Sequence, residues 1–142
     1  MIFESRVQAE AFDLGAEHAR LAALGPAVGA VVSFVGQVRD SALLLEHYPG
    51  MAERQMAAVL QEARGRWPLL GAILVHRFGV LEVGAPIVLV LTASSHREAA
   101  FSSAEFLMDW LKTRAPFWKQ AGGDWVDAKA GDEAATARWA GR

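Results

Sequence analysis

Cysteine is missing altogether from the 142 residues, which excludes disulfides, a thiolate nucleophile and a cysteine-ligated metal or cluster. The absence suits a reducing compartment. No basic segment leads into an apolar run at the N-terminus, and no apolar stretch reaches the roughly 20 residues that cross a bilayer, so a soluble cytoplasmic protein without a membrane partner is expected. Excess charge of one sign is equally scarce. Fourteen lysines and arginines stand against 16 aspartates and glutamates, a net charge of −2, and the basic residues are spread along the chain. Nucleic acid is therefore not implied as a partner. The four histidines show no paired i, i+4 spacing on one helix, so neither a metal site nor a cofactor is expected from them. Gly79 and Gly84 complete neither the dinucleotide nor the Walker phosphate-loop pattern, which argues against a nucleotide fold.

What the chain has in quantity is apolar residues, 53% of the total, enough for one substantial core in one domain over residues 1–142. Met1 to Val7 alternates weakly, as an opening strand does. Alanine-rich Ala9 to Leu24 reads as a helix ended by Gly25-Pro26. Ala27 to Val38 is valine-rich and interrupted by glycines, the pattern of a buried strand closely approached by other backbone. Ala42 to His47 reads as a second strand, pairing with the first as a hairpin. Tyr48-Pro49-Gly50 opens a helix whose Met56, Val59, Leu60 and Ala63 face inward, closed by Trp67-Pro68. Ala72 to Phe78 and Pro86 to Thr92 are further strands, joined by a Gly79 to Gly84 connection. Hairpins mixed with returning helices favour an α+β fold with a mostly antiparallel sheet and packed helices.

The organising stretch is Ser95 to Lys119, SHREAAFSSAEFLMDWLKTRAPFWK. Phe101, Ala104, Leu107, Met108 and Leu111 recur at helical spacing. Ser95 with Glu98 fits a capping box and Pro116 forbids continuation, so a helix from about His96 to Arg114 or Ala115 is predicted. His96 and Arg97 fall in its first turn, where unpaired backbone N–H groups and the helix dipole favour an anion such as phosphate. Lys112 falls in the last turn, where the dipole alone accounts for a lysine. Lys119, after two aromatic residues, fits a partly desolvated ammonium able to exchange protons near neutrality. His47 and His76, flanked by apolar strand residues, read as structural histidines. Glu46 and Asp109 are candidate bases whose default is a solvated or ion-paired carboxylate.

The segments FVGQVRD, LEHYPGM, RWP, HRFGVLEVG, TASSHR and MDWLKTRAPFWK resemble the catalytic large subunit of molybdopterin synthase, over roughly Val28 to Lys129. The resemblance implies an α/β-hammerhead-like fold. It implies the insertion of two dithiolene sulfurs into a cyclic pyranopterin monophosphate, precursor Z. It also implies a small ubiquitin-like sulfur-carrier partner, with a C-terminal Gly-Gly thiocarboxylate, in a heterotetramer built on a homodimer of large subunits. By position, Lys112 and Lys119 are implied as catalytic, His96 and Arg97 as holding the pterin phosphate, and Arg39 as lying beside the substrate. Phe34, Gln37, Val38, Met108 and Lys129 complete the implied substrate-binding positions. Two departures stand out. Gln37 occupies a place where many relatives have a lysine, and only Asp40 and Ser41 separate Arg39 from ALLLEHYPGM, where relatives often have a longer loop.

Helix geometry adds an expectation of its own. Sixteen residues separate His96 from Lys112, and at about 1.5 Å per residue that is roughly 24 Å, too far for one pterin monophosphate to bridge. If both ends act on one substrate, they come from different protomers of a two-fold dimer. The alternative reading is a non-catalytic module that binds a ubiquitin-like partner or a phosphorylated ligand without turning it over.

Overall fold

The computed structural model describes residues 1–121, 124–126 and 139. Within them the element order is β1 (Ile2–Gln8), α1 (Leu14–Ala22), β2 (Ala30–Gln37), β3 (Leu43–His47), α2 (Met51–Arg66), β4 (Leu69–Arg77), β5 (Gly79–Leu81), β6 (Pro86–Ser94), α3 (Arg97–Thr113), β7 (Phe117–Ala121) and β8 (Asp124–Val126). The larger sheet has the order β1-β4-β6-β2, with β1 parallel to β4 and the other pairs antiparallel. The smaller sheet, β5-β3-β7-β8, is antiparallel throughout. The mostly antiparallel α+β expectation holds.

Strand alternation in the larger sheet makes two cores. Ala72, Leu74, Val88 and Val90 face one side with Val32 and Phe34, and α2 and α3 cover them through Met56, Leu60, Ala63, Leu107 and Leu111. Ile73, Val75, Leu89, Leu91 and Ala93 face the other side with Val31 and Val35, under Leu21 of α1. A third, smaller core of Val38, Leu45 and Leu81 sits beneath the smaller sheet. The inward stripe Met56, Val59, Leu60 and Ala63 is buried as its spacing predicts. Helix α1 is shorter than its alanine-rich surroundings suggest, because the Asp13 carboxylate accepts the Ala16 amide at 3.0 Å and fixes the start.

Several expectations need correction. The strands β2 and β3 do not form a hairpin. Beyond a register shift at Gly36/Gln37, the Val38 N–H donates to Ala85 O at 2.9 Å and its carbonyl accepts from Gly84 N at 2.7 Å. The backbone a hairpin would use is already bonded, and the chain swings into the other sheet. The reversal is a three-residue turn in which Ser41 N donates to Arg39 O at 2.8 Å around Asp40, whose φ is 70°. Strand β2 is an outer strand, half-buried rather than buried. The Gly79 to Gly84 connection contains β5, paired with β3, and the segment after Pro116 is the strand β7. No capping box forms at Ser95: His96 is the N-cap of α3 and makes no side-chain cap bond. Phe101 is 62% exposed, because the stripe nearest the sheet is built from smaller residues, Ala100, Ser103 and Ala104, followed by Leu107 and Leu111.

Candidate active site

The C-terminal turn of α3 delivers the first lysine. Ser103 and Thr113 return their hydroxyls to carbonyls one turn earlier, and the amides of Arg114 and Ala115 both reach Trp110 O, at 2.8 and 3.1 Å. Pro116 has no N–H to continue the ladder, so the helix stops there. On the final turn Lys112 places Nζ 5.9 Å from the centre of the Phe34 ring, in reach of a cation–π contact. Phe34 projects from β2, and Met108, one helical turn before Lys112, packs half-buried into the same core. Phe34, Met108 and Lys112 are thus brought together.

The second lysine lies on β7. That strand runs against β3 with Phe117 opposite His47 and Lys119 opposite Leu45. Alternation puts Phe117 and Lys119 on one face and Trp118 on the other. Phe117 stacks on His76, ring centres 3.5 Å apart and 3° from parallel, and on His47 at 5.5 Å. Trp118 is 41% exposed and meets Tyr48 edge-on at 5.1 Å. Lys119 itself is half-buried, close enough for its charge to act on His76. Burial above all pushes the His76 imidazole down to about 4; its bond to the Arg77 carbonyl opposes the shift, and the charges of Lys119 and His47 add to it. His76 and His47 lie among apolar and aromatic residues, and both are packed against a candidate catalytic strand. Sequence reasoning missed that adjacency, because the pairing of β7 with β3 carries no local signal.

At the other end of α3 the chain is open. Ser95, His96, Arg97 and Glu98 line an exposed hollow of roughly 420 Å³ with Gly29. Gly29 is there for a steric reason: a Cβ at that position would lie 2.1 Å from the Ser95 carbonyl oxygen, while its N–H donates to Ser94 O at 3.0 Å. With no side chain capping α3, its first-turn amides, His96 and Arg97 make an arrangement able to take an anion.

The remaining positions are distributed. Arg39 extends from the three-residue turn with 76% of its side chain exposed, 3.9 Å from the Asp40 carboxylate. Gln37 ends β2 and is exposed. Val38 does not offer its side chain to a substrate: it is 3% exposed, packed among Leu45 and Leu81, with both backbone groups bonded. Lys129 lies outside the described residues. Asp109 is neither solvated nor a free base; it is buried and accepts from the indole of Trp139. A separate hollow of roughly 380 Å³ lies between α2 and α3 beside Arg66, Trp110, Arg114 and Trp139.

The model of the MoaE protein family matches residues 7–114. The chain belongs to the MoaE protein family. Among its relatives, the molybdopterin synthase catalytic subunit of Cereibacter sphaeroides is 52% identical over 142 residues, spanning 94% of this chain and 97% of that protein. That of Rhizobium meliloti is 51% identical, spanning 96% of each. The solved structure of the molybdopterin biosynthesis MoaE protein from Burkholderia ambifaria superposes with a TM-score of 0.86 at 50% identity, over 98% of this chain and 99% of that one. In this MoaE-family chain the two ends of α3 therefore belong to a fold shared along nearly its whole length. No helix among the described residues is long and apolar enough to cross a membrane.

Proposed function

We infer that this chain is the catalytic subunit of a molybdopterin synthase, converting precursor Z to molybdopterin with two sulfurs taken from the C-terminal thiocarboxylate of a small ubiquitin-like subunit. The observation that carries this reading is full-length likeness to catalytic subunits at about half identity. In support, Lys112 and Lys119 lie on the last turn of α3 and on the strand that follows it, His96-Arg97 lie at the uncapped start of α3, and Arg39 is exposed at the turn after β2.

The chemistry follows from what these side chains can do. The sulfur nucleophile belongs to the partner, so this chain contributes positioning and electrostatics. The thiocarboxylate sulfur forms a bond to a substrate carbon as that carbon's bond to oxygen breaks, the departing oxygen taking a proton; water then hydrolyses the thioester, leaving the sulfur on the substrate as a thiol and a carboxylate on the carrier, and a second carrier repeats the step. An ammonium on the last turn of α3, Lys112 over the Phe34 ring, stabilises negative charge developing on the acyl or substrate oxygen. Lys119, half-buried on β7, transfers protons. Arg97 and Arg39 suit a phosphate because a guanidinium presents paired donors, and the open first turn of α3 adds backbone N–H groups.

The length of α3 constrains the assembly. The helix runs without interruption from Arg97 to Thr113, so the roughly 24 Å between the His96 and Lys112 positions remains. One pterin monophosphate does not touch both. The working unit in this reading is a two-fold dimer of large subunits with two composite sites, each taking its phosphate-binding turn from one protomer and its lysines from the other. The function is tested by combining the protein with thiocarboxylated small subunit and precursor Z. Dithiolene product is expected, and its absence with demonstrably thiocarboxylated partner refutes the assignment.

A further inference from the structure

We propose that His76 is a positioning residue for Lys119: by locking the ring of Phe117 it fixes the place of β7, and so holds the lysine ammonium where the reaction needs it. The inference rests on the reading of Lys119 as a reacting-centre lysine.

The topology makes the link short. Strand β4 runs through the larger sheet to Arg77, and after Phe78 the chain enters the smaller sheet as β5. There Gly79 pairs with Leu45, and Leu45 pairs on its other side with Lys119, so Gly79, Leu45 and Lys119 form one row across the smaller sheet. His76 is three residues before the start of that row. Its ring lies 3.5 Å from that of Phe117 and 3° from parallel, and Phe117 is two residues before Lys119 on the same face of β7. Phe117 also stacks on His47, 23° from parallel, and His47 sits 4.5 Å from Phe78. The four rings join the end of the larger sheet to β3 and β7.

The histidine ring is also tethered to the backbone. Its Nδ1 lies 2.8 Å from the Arg77 carbonyl oxygen, which can only accept, so Nδ1 carries the proton and the bond sets the ring plane. His76 is 3% exposed and burial holds its imidazole down at about 4, so this ring itself adds no charge near the Lys119 ammonium. Among the described residues, charged and titratable groups reach this region from several elements. Lys119 comes from β7 and His47 from β3, with Glu53 of α2 at 3.9 Å from the His47 ring. Arg77 on β4 turns its guanidinium to the carbonyls of Ala9 and Pro86.

The experiment uses the reconstituted synthase with thiocarboxylated small subunit and precursor Z, comparing His76→Ala, His76→Phe, Phe117→Leu and Lys119→Ala in single-turnover and steady-state assays. A reacting group displaced by about 1 Å loses on the order of 100-fold in rate. His76→Ala and Phe117→Leu are therefore expected to lower kcat by about 10- to 100-fold with KM for precursor Z nearly unchanged, and His76→Phe, which keeps the stack, to recover most of that loss. A wild-type kcat in Phe117→Leu or in folded His76→Ala, a loss confined to KM, or no recovery in His76→Phe overturns the proposal; Phe117→Leu decides it if His76→Ala does not fold. Full activity in Lys119→Ala refutes instead the reading of Lys119, and this inference with it.

Discussion

Acidification from about pH 6.5 to pH 4 should destabilise the fold through His76, by an amount the structure sets. Unfolded, the imidazole titrates at its ordinary 6.5; folded, burial holds it at about 4. Between those values the unfolded chain binds a proton that the native state refuses, so stability is fully present above about pH 6.5 and falls with pH until the folded value is passed. At about 1.4 kcal/mol for each tenfold change in proton affinity, the interval is worth about 3 kcal/mol in all, of which about 2 kcal/mol is lost by pH 4.5. Carboxylates also titrate towards the low end of this window, so the measurement is a difference. Urea unfolding of the wild type and of His76→Phe is followed at half-unit steps from pH 7.5 to 4.5. The variant lacks the titrating ring, and its stability should fall less steeply by about that 2 kcal/mol, at unchanged m-value. Parallel curves for the two proteins, or a His76 Hε1 proton resonance that titrates near 6.5 in the native state, refute the reasoning.

Replacing Lys112 by Ala should lower the single-turnover rate by about 10²- to 10³-fold, the scale of losing one preorganised charge-stabilising group, and Lys119→Ala should also change the pH profile. Unchanged rates in both variants eliminate the proposed centre. Gly29→Ala drives a methyl into the Ser95 carbonyl and should cost about 1–3 kcal/mol on thermal unfolding while raising KM for precursor Z, because the clash displaces the first turn of α3. A variant of wild-type stability and KM shows that the close approach does not matter. Mixing inactive His96→Ala and Lys112→Ala proteins should restore part of the activity through dimers with one intact composite site, and no recovery after proven subunit exchange counts against shared sites.

Much of the chain was legible because its signals are local. The helix predicted from His96 to Arg114 or Ala115 is α3, Arg97–Thr113, since Pro116 and the apolar spacing act within a few residues. The stripe of α2 is buried for the same reason. What could not be read was long-range. Whether Leu43–His47 pairs with β2 or with β5 and β7 is decided by Val38 bonding to Gly84 and Ala85, more than 40 residues away in sequence. Phe117–Ala121 is too short and too close to Pro116 to announce a strand, and only its register against β3 makes it one. Phe101 misled because helical spacing does not say which of two adjacent stripes meets the sheet; small residues won, letting α3 lie close. The His-Arg pair and Lys119 stand out in the sequence by their places at a helix start and after two aromatic residues, and the family resemblance adds Lys112 and the implied roles; the His76–Phe117 stack comes from neither route.

The two ends of α3 are built on opposite plans, and that difference bears on how one substrate is held. At the first turn no side chain caps the helix, Gly29 admits the backbone close by, and the residues are exposed. Such an end is able to take an anion but carries neither lysine. At the last turn the chain passes directly into β7, and Lys112 and Lys119 come from the helix and strand on either side of one short turn, above Phe34 and beside the ring stack. That end holds the two lysines to which the proposed function gives the acyl chemistry, and it lacks the His-Arg pair. Bending the helix to join them would break the ladder along which Ala100, Ala104, Leu107 and Leu111 pack on the sheet, at the cost of the core that makes the fold. Bringing a second protomer's open end to the lysines costs no such disruption, and one two-fold axis makes both sites at once.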